Sequence, residues 1–135
     1  MTDFTDLAAL VTALREGAAL ALVAEEAFIT ADLAQLAGWI AEQPAWSDFP
    51  FVLLAQRGGG LERNPGAARL SSVLGNVAFL ERPFHPTTLV SAVGTALRGR
   101  RRQYEARERI EEIRRAEALL ERRVVERTAE RWPVL

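Results

Sequence analysis

Three short apolar runs, residues 18–24, 51–55 and 77–80, constrain the fold of this chain more than any other feature. Each run has the length of a strand rather than a helix. Between them lie segments whose apolar residues recur every three to four positions, as in amphipathic helices. We predict helices over residues 5–16, 31–43 and 67–74, with Asp3 or Thr5 capping the first.

Strands that alternate with helices through short connections predict right-handed βαβ units and a parallel sheet. The first run is apolar on both faces, which is typical of a central strand buried under helices. We therefore expect an α/β fold with a partial, three-stranded parallel sheet flanked by helices.

The stretch from Pro86 to about Arg131 predicts one long helix, because it contains no further proline and only two glycines. A helix of roughly 45 residues is about 68 Å long, which exceeds the diameter of a small domain. Its first half can pack on the sheet, and we expect no core for it to cover beyond Arg98. The predicted division is an α/β domain over residues 1–97 and a helical extension over residues 98–135.

Beyond that boundary the helix carries a seam with 4-3-4-3 spacing, and charged residues occupy most other positions. The spacing is that of a heptad repeat, interrupted at two charged positions. It predicts a parallel coiled-coil homodimer, since a solvated single helix is only marginally stable. The predicted dimerisation residues are Ala106, Ile110, Ile113, Glu117, Leu120, Val124 and Arg127.

The charge distribution is uneven, because 12 of the 17 basic residues lie in residues 98–135 and all 17 are arginine. The absence of lysine and cysteine excludes Schiff-base chemistry, a P-loop lysine, disulfides and thiolate metal sites. The arginines of residues 98–102 suggest nucleic-acid binding, but no interleaved aromatic residues or DNA-binding motif accompany them. With no apolar run near the ~20 residues of a membrane helix and no basic start, we expect a cytoplasmic protein without membrane contact.

The end of the third run carries a resemblance to a known family. Phe79-Leu80-Glu81-Arg82-Pro83-Phe84 resembles the end of the fifth strand in the receiver domain of bacterial two-component systems. In that family a Lys-Pro pair with a cis peptide bond stands there, and the lysine contacts the phosphoryl group. The resemblance places Arg82 at the lysine position, Pro83 at the proline and Phe79 at the aromatic switch position. It implies a flavodoxin-like fold.

The tail carries a second resemblance, since residues 120–130 are similar to the coiled-coil linker before the dimerisation helices of sensor histidine kinases. The two together imply a module like the amino-terminal part of certain hybrid kinases. The chain then begins at the family's second helix, without counterparts of its first strand, first helix and second strand.

The receiver chemistry is missing at the positions that the resemblance identifies. The phosphoacceptor aspartate is replaced by Ala24, or by Glu25 with a shift of one residue, and Ala55 stands at the hydroxyl position. We therefore expect a pseudo-receiver that is not phosphorylated, is not an enzyme and needs no cofactor. The alternative from the same residues is a residual phosphoacceptor at Glu25 or Glu26.

The remaining polar candidates have simpler interpretations. Glu25 and Glu26 alone make a weak Mg²⁺ site, so we expect no metal. We predict that Arg82 forms an ion pair with one of them. His85 is expected to cap a helix or lie at the surface, and residues 57–60 (RGGG) to form a loop, since the full P-loop pattern is absent.

An unpaired first strand would expose an apolar edge at residues 18–24, which invites pairing with another chain. The expected partners are a second copy, through the coil and also through this edge, and a histidine kinase or another two-component protein. The expected function is non-catalytic signal transduction.

Overall fold

The computed structural model describes residues 6–28, 31–56 and 65–131, with the side chains of the last helix described through Thr128. Its elements in chain order are α1 (Leu7–Glu16), β1 (Ala21–Ala24), a single 3-10 turn (Glu25–Ala27), α2 (Ala34–Ala41), β2 (Phe51–Ala55), α3 (Pro65–Leu74), β3 (Val77–Glu81) and α4 (Pro86–Arg131). The predicted alternation of helices and strands is confirmed. The loop with the glycine triplet, residues 57–64, lies outside the described residues.

The three strands form one parallel sheet in the order β1-β2-β3. The register aligns Ala21 with Phe51 and Phe51 with Val77. Every described crossover contains a helix, as parallel pairing requires. The α/β class, the three-stranded parallel sheet and the long carboxyl-terminal helix are therefore confirmed.

The first strand is shorter than predicted and is not central. It begins at Ala21 instead of residue 18, and the N–H of Ala21 donates to the carbonyl oxygen of Pro50, the residue before β2. In the described part of the chain β1 pairs only with β2 and lies at an edge, where Leu22 is 42% exposed. The central strand is β2, and Val52 and Leu53 in it are fully buried.

The sheet buries its two faces differently. Alternate residues such as Val23, Phe51 and Leu53 join a core that includes Val11 of α1 and Trp39 of α2. The residues between them point to the opposite face, where Val52 and Leu80 are buried and where α4 packs on β2 and β3. α1, α2 and α3 thus form one outer layer, and α4 forms the other.

Side chains accept hydrogen bonds from backbone N–H groups near the starts of three helices. Asp6 Oδ1 accepts a hydrogen bond from the N–H of Ala9 at 2.7 Å, so Asp6 is the N-cap of α1. The caps proposed from the sequence, Asp3 and Thr5, lie outside the described residues. α2 begins later than predicted, at Ala34, whose N–H donates to Asp32 Oδ1. His85 Nδ1 accepts from the N–H of Thr87 at the start of α4, which confirms its predicted capping role.

The long helix has the predicted limits, Pro86 and Arg131, and its 46 residues correspond to about 69 Å. The expectation that it covers nothing beyond Arg98 is wrong. Arg100 is 6% exposed, because its side chain inserts beside the loop of residues 44–50. Contacts with that loop reach Arg107, and every described residue from Glu108 to Thr128 is exposed. None of the described helices combines the length and the apolar character needed to cross a membrane.

Candidate functional site

The receiver-like positions converge at the carboxyl ends of the three parallel strands. Glu25 and Glu26 follow β1 in the 3-10 turn, Ala55 ends β2, and Arg82 follows β3. Parallel strands place their carboxyl ends at one edge of a sheet, which is where ligands bind in open α/β folds. The fold thus brings together residues that are 56 positions apart in the chain.

Arg82 connects all three strand ends. Its Nη2 donates to Glu26 Oε1 in an ion pair, and its Nε donates to the carbonyl oxygen of Ala55 at 3.2 Å. The same Nη2 lies 3.4 Å from the carbonyl oxygen of Leu54. The predicted ion pair between Arg82 and one of the two glutamates is confirmed, and its partner is Glu26. The Arg82–Pro83 peptide bond is cis.

The ion pair changes the acidity of Glu26. The hydrogen bond from the Arg82 guanidinium lowers the pKa of the Glu26 carboxyl, and the small loss of hydration opposes this only in part. The two side chains remain 38% and 43% exposed, so water screens their attraction. The pair therefore holds Arg82 in place with a modest gain in stability.

Glu25 points elsewhere, although it is the neighbour of Glu26. It is 3% exposed, and its Oε2 accepts a hydrogen bond of 2.7 Å from the N–H of Gln56, the residue after β2. This carboxylate borders a cavity of about 270 Å³. The cavity is lined by Glu25, Phe28, Leu33, Gln56, Gly66, Arg69 and Leu70. The two glutamates therefore differ in their main contacts, although both contact Gln56, Glu25 through the backbone N–H and Glu26 through the side chain.

The remaining receiver-like positions carry no reactive group. Ala24 is half-buried at the end of β1, and Ala55 is 2% exposed at the end of β2. Phe79 packs partly buried against the core, and Pro83 is exposed. Alanine methyl groups cannot accept or hydrogen-bond a phosphoryl group. Among the described residues, no three histidine, aspartate or glutamate side chains cluster as metal ligands would.

Comparisons with protein-family models, curated proteins and solved structures give no match to this chain. The geometry of its own residues is therefore the basis for any functional conclusion.

A second polar cluster lies at the opposite end of the sheet, and we name it the latch. It joins the loop residues Trp46, Ser47 and Asp48 to Arg100, Gln103, Tyr104 and Arg107 of α4. The carbonyl oxygen of Pro50, which ends the loop, accepts from the N–H of Ala21 at the start of β1. The latch thus lies at the amino-terminal edge of the sheet.

The sequence did not reveal the latch, because no sequence pattern relates an irregular loop to a distant helix. The arginines of residues 98–102 instead suggested a solvated or nucleic-acid-binding face. One of them, Arg100, is buried against aromatic rings, whereas its neighbours Arg101 and Arg102 are exposed. The usable signal was Gln103 and Tyr104, which lie three and four residues after Arg100 and therefore on the same side of the helix.

Beyond the latch, α4 exposes apolar side chains. Along the predicted seam Ile113 is 57%, Leu120 57% and Val124 63% exposed. Leu119 and Val125, which the seam omits, are 50% and 66% exposed. The exposed apolar surface is therefore wider than the seam alone, and pairing through the seam stays a prediction.

Proposed function

We propose that this protein is a non-catalytic signal-transduction module, a pseudo-receiver of flavodoxin-like fold that is not phosphorylated. It dimerises through a parallel coiled coil and thereby regulates or positions a histidine kinase or a related partner. The observation that carries the proposal is the single helix α4, which packs on the sheet and then extends with an exposed apolar stripe. Such a helix connects the α/β domain to any partner that binds the coiled coil.

Loss of phosphorylation is supported by the strand ends. Ala24 and Ala55 offer no acceptor or hydroxyl group, and Arg82 is engaged by Glu26. Glu25, one of the two alternative acceptors, is buried and hydrogen-bonded to the backbone of Gln56, and Glu26, the other, pairs with Arg82. These side chains at the strand ends already have protein partners, so their positions do not depend on a bound phosphoryl group.

The experiment is incubation with acetyl phosphate and Mg²⁺, followed by intact-mass measurement, alongside beryllofluoride titration monitored by tryptophan fluorescence. We expect no added phosphoryl mass and no saturable change. Stoichiometric phosphorylation that Glu25→Gln or Glu26→Gln abolishes would instead establish the alternative, a residual phosphoacceptor.

Dimerisation through the seam is supported by the exposure of Ile113, Leu120 and Val124 on one stripe of a solvated helix. The test uses the absence of cysteine from the chain. In a parallel, in-register coil Leu120→Cys forms a disulfide between the two copies under mild oxidation. Leu119→Cys lies about 100° around the helix and should crosslink much less.

Equal crosslinking at both positions, or a monomer by light scattering at micromolar concentration, would contradict the parallel coil. Self-association that survives deletion of residues 108–135 would point instead to the edge of β1, which pairs only with β2 in the described part of the chain and is the second contact that we propose. The partner kinase is tested by its autophosphorylation rate with the native module and with a Leu120→Asp variant. We expect the rate to differ between the two.

A further inference from the structure

We propose that the latch is the device that couples the α/β domain to the helical extension. In this proposal the loop of residues 44–50 and residues 100–107 of α4 close and open together. Closure fixes the direction in which the helix leaves the domain. The inference rests on the proposed function insofar as the coil is the output, but the latch itself is a property of a single chain.

The position of the latch along α4 supports this coupling. It contains the last contacts of α4 with the domain, since all described residues from Glu108 onward are exposed. Among the contacts of the described residues, that of Arg107 with Trp46, at 5.1 Å from the guanidinium carbon to the ring centre, lies furthest along α4. The direction of the exposed helix is therefore set here.

Gln103 pairs with the backbone of the loop. Its Oε1 accepts from the N–H of Asp48 and its Nε2 donates to the carbonyl oxygen of Asp48, both at 2.8 Å. The same carbonyl accepts from Asn76 Nδ2 at 2.9 Å, just before β3. The backbone N–H and C=O groups of Asp48 thus link the loop to α4 and to the residue before β3, so a shift of the loop at Asp48 would break its hydrogen bonds to the helix.

The latch buries the charged side chain of Arg100. Arg100 lies 5.4, 5.2 and 4.8 Å from the ring centres of Trp46, Phe49 and Tyr104, the arrangement of cation–π contacts. Its Nη1 donates to Ser47 Oγ at 2.7 Å. The structure describes no carboxylate paired with Arg100, so rings and neutral acceptors replace its hydration. Opening the latch would return the guanidinium to water. The hydration energy regained would partly offset the energy of the contacts that are broken.

This balance explains why the cluster suits a reversible contact. The buried charge favours opening, whereas the aromatic contacts and hydrogen bonds favour closure. A partner that binds the exposed parts of Trp46 or the loop could therefore shift the equilibrium, and the change would reach α4 directly.

The test is amide hydrogen exchange by mass spectrometry on the full chain. Gln103→Ala removes the two hydrogen bonds to Asp48, and we expect exchange to rise about tenfold in both residues 44–50 and residues 99–107. Arg100→Met keeps most of the side-chain volume and should produce the same paired change. Arg101→Met is the matched control, because Arg101 is exposed on the same helix, and it should leave both segments unchanged.

The proposal is overturned if Gln103→Ala accelerates only one of the two segments, or if Arg101→Met has the same effect as Arg100→Met. If Arg100→Met also accelerates amide exchange in β2, the substitution has unfolded the domain. The result for Gln103→Ala then decides the test. Because exchange at the latch is measured within one chain, its failure is separate from a failure of crosslinking at Leu120.

Discussion

Two neighbouring glutamates show how one residue position decides the role of a side chain. Glu25 is buried and accepts from the backbone of Gln56, whereas Glu26 is exposed and pairs with Arg82. The 3-10 turn after β1 separates their directions, because consecutive side chains on a tight helix diverge by about 120°. As a result, the carboxylate of Glu25 accepts from Gln56, the residue after β2, and the carboxylate of Glu26 pairs with Arg82 at the strand ends.

The Glu26–Arg82 pair predicts a pH-dependent contribution to stability. The pKa of Glu26 is lowered on folding, so its contribution is present above its unfolded pKa of about 4.3 and is lost as pH falls through the folded value. At pH 7 we expect Glu26→Gln to reduce the free energy of unfolding by about 0.2–1 kcal/mol, since the pair is exposed.

Chemical denaturation at pH 7 and at pH 3 measures this difference, which should shrink at the lower pH. Glu42→Gln is the control, because Glu42 is exposed and the described residues give it no ion pair. A difference that grows toward pH 3 would contradict the assignment.

Asp6 predicts the cost of losing one helix cap. Its side chain accepts from the N–H of Ala9, which has no partner within the first turn of α1. Asp6→Ala should lower the free energy of unfolding by about 1 kcal/mol, whereas Asp6→Asn should lower it far less. Urea denaturation followed by circular dichroism distinguishes the two variants, and equal losses would argue against a capping role.

At the scale of elements, the sheet follows from hydrophobic pattern and the latch does not. The runs at residues 51–55 and 77–80 predicted β2 and β3 closely, because each is a continuous apolar run of strand length. Residues 18–20 continue the apolar run but form no strand, and the pairing of β1 with β2 begins at Ala21 and Phe51. Sequence pattern reports burial along one segment, whereas pairing depends on the residue opposite.

The same reasoning explains which parts of the two sites could be foreseen. Arg82 directly follows β3 and Glu26 lies two residues after β1, so the topology of a parallel sheet brings them to one edge. Arg100 and Trp46 lie in a helix and an irregular loop, and no periodic pattern relates those two elements. The Arg82 contact was therefore predictable, and the Arg100 contact needed coordinates.

Two leucines on neighbouring strands give a direct test of the sheet. Leu53 in β2 is fully buried, and Leu22 in β1 is 42% exposed. We expect Leu53→Ala to lower the free energy of unfolding by about 2–5 kcal/mol, because it leaves a cavity in the core. Leu22→Ala should cost less than about 1 kcal/mol. Thermal or urea unfolding compares them, and similar losses would contradict the edge position of β1.

At the scale of the whole molecule, the chain consists of an α/β body and a helix that extends well beyond it. α4 packs on β2 and β3, passes the latch and then carries 21 exposed residues, Glu108 to Thr128, in its described part. A lone helix with this much exposed apolar surface is a poor end state in water. Self-association of the extension is the expectation that follows for the intact protein.

Two adjacent valines with nearly equal exposure, 63% for Val124 and 66% for Val125, provide a matched pair for this expectation. Val124 lies on the predicted seam and Val125 does not. Val124→Asp should raise the dimer dissociation constant at least about tenfold, because a coil would bury its unpaired charge. Val125→Asp should change it little. Sedimentation equilibrium measures both constants, and equal weakening would indicate association through a face other than the seam.

The length of α4 also makes it a lever. From Arg107 to Arg131 the helix extends about 36 Å past its last hold on the body. A tilt of about 5° at Arg107 displaces the far end sideways by roughly 3 Å, a large part of the ~8–10 Å between the axes of two packed helices. Small rearrangements around Asp48 and Gln103 are thus geometrically amplified before they reach anything bound at the tip.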